Sequence, residues 1–96
     1  MTPADFAVRT VPHYDRLSSK LRKAHRDFEP AERRAAVILS ADPYNRSRNY
    51  DIKKLEGIAA GKGQYRLALG RWRFRYDIVE RRVELLYCSL CREDTY

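Results

Sequence analysis

The chain has 96 residues, enough for one domain with a modest core and too few for a second. A hydrophobic fraction of 44% excludes a disordered chain despite 34% charged residues, and no apolar run reaches the length of a membrane span. The net charge of +7 favours polyanionic partners, either nucleic acid or an acidic protein. Asp5 stands where a signal peptide carries positive charge, so a cytoplasmic location is expected.

Residues 6–11, Phe-Ala-Val-Arg-Thr-Val, are short and partly β-branched and are stopped by Pro12, which predicts a first strand. A helix is expected from Pro12, because proline suits a first helical turn. Tyr14, Leu17, Leu21, Ala24 and Phe28 recur at three- and four-residue steps and form its apolar stripe. Glu29-Pro30 is expected to break this helix and open a second one, with the stripe Ala31, Ala35, Ile38 and Leu39 and an end at Asp42-Pro43. The two together read as an αα-hairpin. Residues 44–64 are polar and contain Gly57, Gly61 and Gly63, which predicts a loop with a short helical turn near Ile52. Strands are then expected at Tyr65–Leu69, Trp72–Val79 and Val83–Ser89, joined by turns at Gly70-Arg71 and at Glu80-Arg81-Arg82. The predicted fold is therefore α+β, one domain over residues 1–96. An N-terminal strand and an αα-hairpin precede a mainly antiparallel three-strand meander, with the helices on one sheet face.

Within the meander, Arg71, Arg73 and Arg75 alternate with Trp72, Phe74 and Tyr76. On a strand this puts three guanidinium groups on one face and three rings on the other, the rings forming the floor under the helices. From Gly57 to Tyr76 the only charged residues are Lys62, Arg66, Arg71, Arg73 and Arg75, all basic. Arg75 is also placed to pair with Asp77 or Glu84, while Arg81, Arg82, His13 and His25 read as solvated surface. Cys88 and Cys91 are spaced as C-x-x-C, but positions three apart on a strand face opposite ways and no second pair exists. They read as ordinary reduced cysteines, and no metal site or cofactor is expected.

Lys54-Leu55-x-Gly57, Tyr65-Arg66-Leu67-x-x-Gly70-x-x-Arg73-x-x-Tyr76, Val83 and Arg92-x-x-x-Tyr96 together resemble the RelE/ParE superfamily of bacterial toxins. The resemblance implies a toxin of a type II toxin–antitoxin pair. RelE-like members are ribosome-dependent endoribonucleases that cut messenger RNA, whereas ParE-like members inhibit DNA gyrase. The implied partners are a cognate acidic antitoxin, the ribosome and mRNA, with operator DNA reached only through the antitoxin. Carried over by position, Arg73, Arg92 and Tyr96 are the implied catalytic residues, and Arg66 matches a basic position of the second strand. Lys54, Lys62, Arg66, Arg71 and Arg75 would form the RNA-binding footprint, each phosphate contact adding salt dependence and little sequence preference. The chain departs from the family pattern in three places: Ala68 replaces a basic residue, Arg71 replaces an acidic one, and Leu90-Cys91 replaces Gly-His before the closing arginine.

Cutting RNA with its own 2′-hydroxyl needs a base for that hydroxyl, charge relief at phosphorus and a proton for the leaving oxygen. Arginine stays protonated at neutral pH, so Arg73 and Arg92 suit charge relief. Tyr96 acts as a base if neighbouring cations lower its pKa, or otherwise stacks on a nucleobase. Two rival functions remain at this point: a ParE-like gyrase inhibitor, and a non-toxic nucleic-acid-binding module.

Overall fold

The structure, a computed structural model, describes residues 6–91. Strand β1 (Ala7–Thr10) leads into helices α1 (Pro12–Ala24) and α2 (Phe28–Ala41), followed by β2 (Asp51–Lys54), β3 (Tyr65–Leu69), β4 (Trp72–Val79) and β5 (Arg82–Leu90). The strands form one five-stranded sheet in the order β1-β5-β4-β3-β2, with β1 parallel to β5 and every other pair antiparallel. No helix among the described residues is long and apolar enough to cross a membrane.

Both helices cover the same sheet face, α1 against β5 and α2 against β1, β3 and β4. The alternation in β4 works as expected: Trp72, Phe74 and Tyr76 are all buried beneath Tyr14, Phe28, Ile38 and Leu39. Phe28 stacks on Phe74 at 6.1 Å and meets Trp72 edge-on at 5.1 Å. The Tyr76 hydroxyl donates to the Pro43 carbonyl at 2.7 Å, so the one polar atom of that buried ring is satisfied. The helices are joined to each other by a carboxylate. Glu32 of α2 accepts from the Tyr14 and Ser18 hydroxyls of α1 at 2.8 and 2.6 Å, and from Arg22 Nη2 at 2.6 Å. Burial alone would raise the pKa of Glu32, but the bonds from Ser18, Arg22 and Tyr14 outweigh it and hold the group below its usual value.

Three expectations are corrected. The interhelical break lies at residues 25–27, upstream of Glu29-Pro30, so Phe28 opens α2 and does not close α1. Pro30 fits inside the first turn of α2, where its missing N–H has no intrahelical partner to lose. Residues 51–54, expected as loop or a helical turn, form the edge strand β2. Only Ile52 of this strand packs against the core, and two lysines mark it as a protected edge, so its period-2 signal is nearly absent. The solvated surface expected at Arg82 and His25 is also revised, whereas His13 is exposed as expected. Arg82 Nε bonds Glu84 at 3.0 Å, His13 stacks on Tyr87, and His25 lies edge-on to Trp72 at 5.3 Å.

Candidate RNA-binding face

The sheet face opposite the helices collects the basic residues. Strand register places Arg66 directly opposite Arg75, Arg75 opposite Tyr87, and Ala68 and Ser89 on either side of Arg73. Arg66, Arg73, Arg75, Tyr87 and Ser89, together with Leu55, Leu90 and Cys91, surround a cavity of about 330 Å³. Like charges directly opposite on a sheet repel, so Arg66 and Arg75 side by side form a surface that an anion would stabilise.

The hydrogen bonding of the arginines sharpens this. Arg66 Nη2 donates to Asp51 at 2.8 Å, and the side chain is only 16% exposed. Arg73 folds back so that Nη1 donates to the carbonyls of Gly70 and Trp72 at 2.8 and 3.0 Å. In both residues the Nε–H is buried and has no acceptor among the described residues. Leaving a buried donor unpaired costs about 1–3 kcal/mol, and more when the group is charged. Arg66 and Arg73 themselves line one cavity together with Arg75, so an anion there would meet three guanidinium groups.

The remaining basic residues divide. Arg75 pairs with neither Asp77 nor Glu84. Its Nε and Nη2 donate to the Gly63 carbonyl at 3.1 and 2.9 Å, and Nη2 also to that of Lys62 at 3.0 Å. The buried Asp77 holds the same loop from below, accepting from the backbone N–H groups of Gly63 and Gln64 at 3.2 and 2.8 Å. Gly63 is required here: its φ is +84°, and a Cβ would lie 3.2 Å from Arg75 Cβ and Nε. The clamp sets the backbone of Lys62 against Arg75, at the margin of the cavity.

Arg71 is not on this face. It lies outside β4, and its Nε and Nη2 bond the Asp27 carboxylate at 3.0 and 2.8 Å, with its guanidinium over the Trp72 ring. Trp72 Nε1 donates to the same carboxylate at 3.1 Å, and Arg71 with Trp72 holds Asp27 at a pKa of about 2. The β3–β4 turn is thereby tied to the α1–α2 connection through the Arg71–Asp27 pair. Lys54 pairs with Tyr65 on the helix side, its Nζ 5.7 Å above the Tyr65 ring, whereas Lys53 is the β2 lysine that shares the face of Arg66. Arg92 and Tyr96 lie outside the described residues. Cys91, which precedes Arg92 in sequence, lines the cavity, and its N–H bonds the Arg71 carbonyl at 2.7 Å.

Sequence reasoning missed Tyr87. Simple alternation from the buried Val83 and Leu85 would send residue 87 into the core. The register shifts between Arg75 and Tyr76, so Leu86 has no cross-strand partner, and beyond this bulge Cys88 faces inward and Tyr87 outward. A bulge leaves no sequence signal in Leu85-Leu86-Tyr87, where every residue is apolar or aromatic. Cys88 is buried on the helix side, where burial raises its thiol to about 12, while Cys91 sits at the cavity. No cluster of metal-ligating residues occurs among the described residues.

No protein-family profile and no curated protein matches the sequence. The structure is similar to the crystal structure of an archaeal RelE–RelB complex from Pyrococcus horikoshii OT3. The similarity has a TM-score of 0.61 at 24% sequence identity and covers 93% of this chain and 98% of that one. The helical hairpin on one sheet face, with the arginines on the other, is thus built on an architecture already solved, and the chain has the RelE fold.

Proposed function

We propose that this protein is the toxin of a type II toxin–antitoxin pair and cleaves messenger RNA held in the ribosome. The observation that carries the reading is the convergence of Arg66, Arg73 and Arg75 on one cavity of the open sheet face. A phosphodiester bound there would accept from these guanidinium groups and relieve the repulsion between Arg66 and Arg75. In the reaction the 2′-oxygen attacks phosphorus and loses its proton to a base, and the bond from phosphorus to the 5′-oxygen breaks. The departing 5′-oxygen gains a proton. Arg73, with Arg92, would neutralise the charge that builds on the non-bridging oxygens, and Tyr96 would orient or activate the 2′-hydroxyl. Arg66, Arg75 and Lys62 hold the strand electrostatically, joined by Lys53. An acidic antitoxin suits a chain of net charge +7, and the similar archaeal protein was crystallised as a RelE–RelB complex.

The gyrase-inhibitor reading has one observation in its favour. Leu90 and Cys91 line the cavity at the place where the family resemblance would have a histidine. Expression in a bacterial host separates the two. Primer extension on translated messages will show new 5′ ends that vanish with Arg73→Ala. Intact messages with loss of plasmid supercoiling would replace the nuclease reading with gyrase inhibition. Unimpaired growth with neither signal would leave a binding module.

A further inference from the structure

The open face does not end at the arginine cavity. Arg75 and Tyr87 also border a second depression of about 300 Å³, walled by His13, Lys62 and Leu86. The His13 and Tyr87 rings are stacked there, with centroids 6.2 Å apart and planes 23° from parallel. His13 comes from the first turn of α1 and Tyr87 from β5, so the two meet only because the bulge at Leu86 turns Tyr87 outward. Tyr87 is 41% exposed, one of few large side chains so open to solvent. Among the described residues no acidic side chain borders the depression, and the Arg75 guanidinium beside it is fixed by three hydrogen bonds.

We infer that the His13–Tyr87 pair is a nucleobase-stacking subsite for a second nucleotide of single-stranded RNA, next to the one whose phosphate occupies the Arg66–Arg73 cavity. The inference rests on the nuclease reading of that cavity. Arg73 and Arg75 are two residues apart on β4, roughly 6.6 Å at the strand rise, a step suited to successive phosphates of an extended strand. Stacked aromatic rings beside fixed cations are the general device for holding single strands, because every base presents a π-face. A glutamate-rich peptide would satisfy the cations but would offer no aromatic ring for stacking.

The test uses the full chain and short 2′-O-methyl RNA oligonucleotides, which cannot be cleaved through the 2′-oxygen, with binding followed by fluorescence anisotropy. Tyr87→Ala should weaken binding about tenfold, Tyr87→Phe should bind like the wild type, and His13→Ala should lose several-fold. Replacing one nucleotide of the RNA by an abasic one should produce the same tenfold loss and abolish any further effect of Tyr87→Ala. Arg73→Ala should weaken intact and abasic RNA alike. Unchanged binding by Tyr87→Ala, with Arg73→Ala still impaired, would overturn the subsite and leave the cavity reading intact. Unchanged binding by Arg73→Ala would overturn the cavity reading and the subsite with it. A glutamate-rich peptide that binds as tightly as the RNA and is equally sensitive to Tyr87→Ala would assign the platform to a protein ligand and overturn the inference.

Discussion

Replacing Asp77 by alanine should detach the glycine loop from the sheet. The carboxylate is 3% exposed and takes the backbone N–H of Gln64 at 2.8 Å and that of the buried Gly63 at 3.2 Å. A hydrogen bond to a charged acceptor contributes about 1.5–3 kcal/mol, and the longer bond belongs at the low end, so the pair is worth about 4 kcal/mol. Removing a carboxylate that is itself poorly hydrated returns part of this, leaving a destabilisation of about 3 kcal/mol. For a domain of this size that lowers the melting temperature by roughly 12–20 °C. Asp77→Asn retains one acceptor and should lose about half as much. Urea unfolding followed by Trp72 fluorescence measures both variants, and native-state hydrogen exchange should show the amides of residues 63 and 64 losing protection first. A change below about 0.5 kcal/mol for Asp77→Ala, with exchange at those amides unaltered, would refute the claim that this carboxylate anchors the loop.

Other consequences follow from the same contacts. Glu32→Ala strands the Tyr14 and Ser18 hydroxyls, which are 1% and 4% exposed as residues, and should cost about 3 kcal/mol in denaturant unfolding. Gly63→Ala forces a side chain into φ +84° and against Arg75, so it should cost about 1–2 kcal/mol in the same assay, whereas alanine at the open Gly57 meets no atom within 4 Å and pays only the backbone strain. The folded pKa of Asp27, about 2, lies below the ordinary carboxylate value of about 3.9. Its charge-dependent contribution to stability is therefore complete above about pH 5 and is lost as pH falls through 2. The stability difference between wild type and Asp27→Ala should be larger at pH 6 than at pH 2.

The sequence carried the inner half of this molecule better than the outer half. Trp72, Phe74 and Tyr76 announce a buried strand face because their alternation is uninterrupted and the helix stripes above them are equally regular. Where the signal is short or broken it fails. Four residues with one core contact do not reveal β2, and Phe28 continues the α1 stripe in sequence although the chain has already turned. The arginine face was legible as a face but not residue by residue. Arg71 shares the alternation of Arg73 and Arg75 yet sits in the turn, where the Asp27 carboxylate, 44 residues away, captures it. Only three-dimensional placement distinguishes Lys53 from Lys54, or shows that a bulge sends Tyr87 to the open side.

If RNA is cut at the Arg66–Arg73 cavity, the difference will show in single-turnover cleavage of a messenger programmed in the ribosomal A site, with wild type and Arg73→Ala compared at equal thermal stability. Loss of a preorganised charge at phosphorus should slow cleavage about a hundredfold or more, equivalent to about 2.7 kcal/mol of transition-state stabilisation. A rate for Arg73→Ala within threefold of wild type would move the chemistry away from this face.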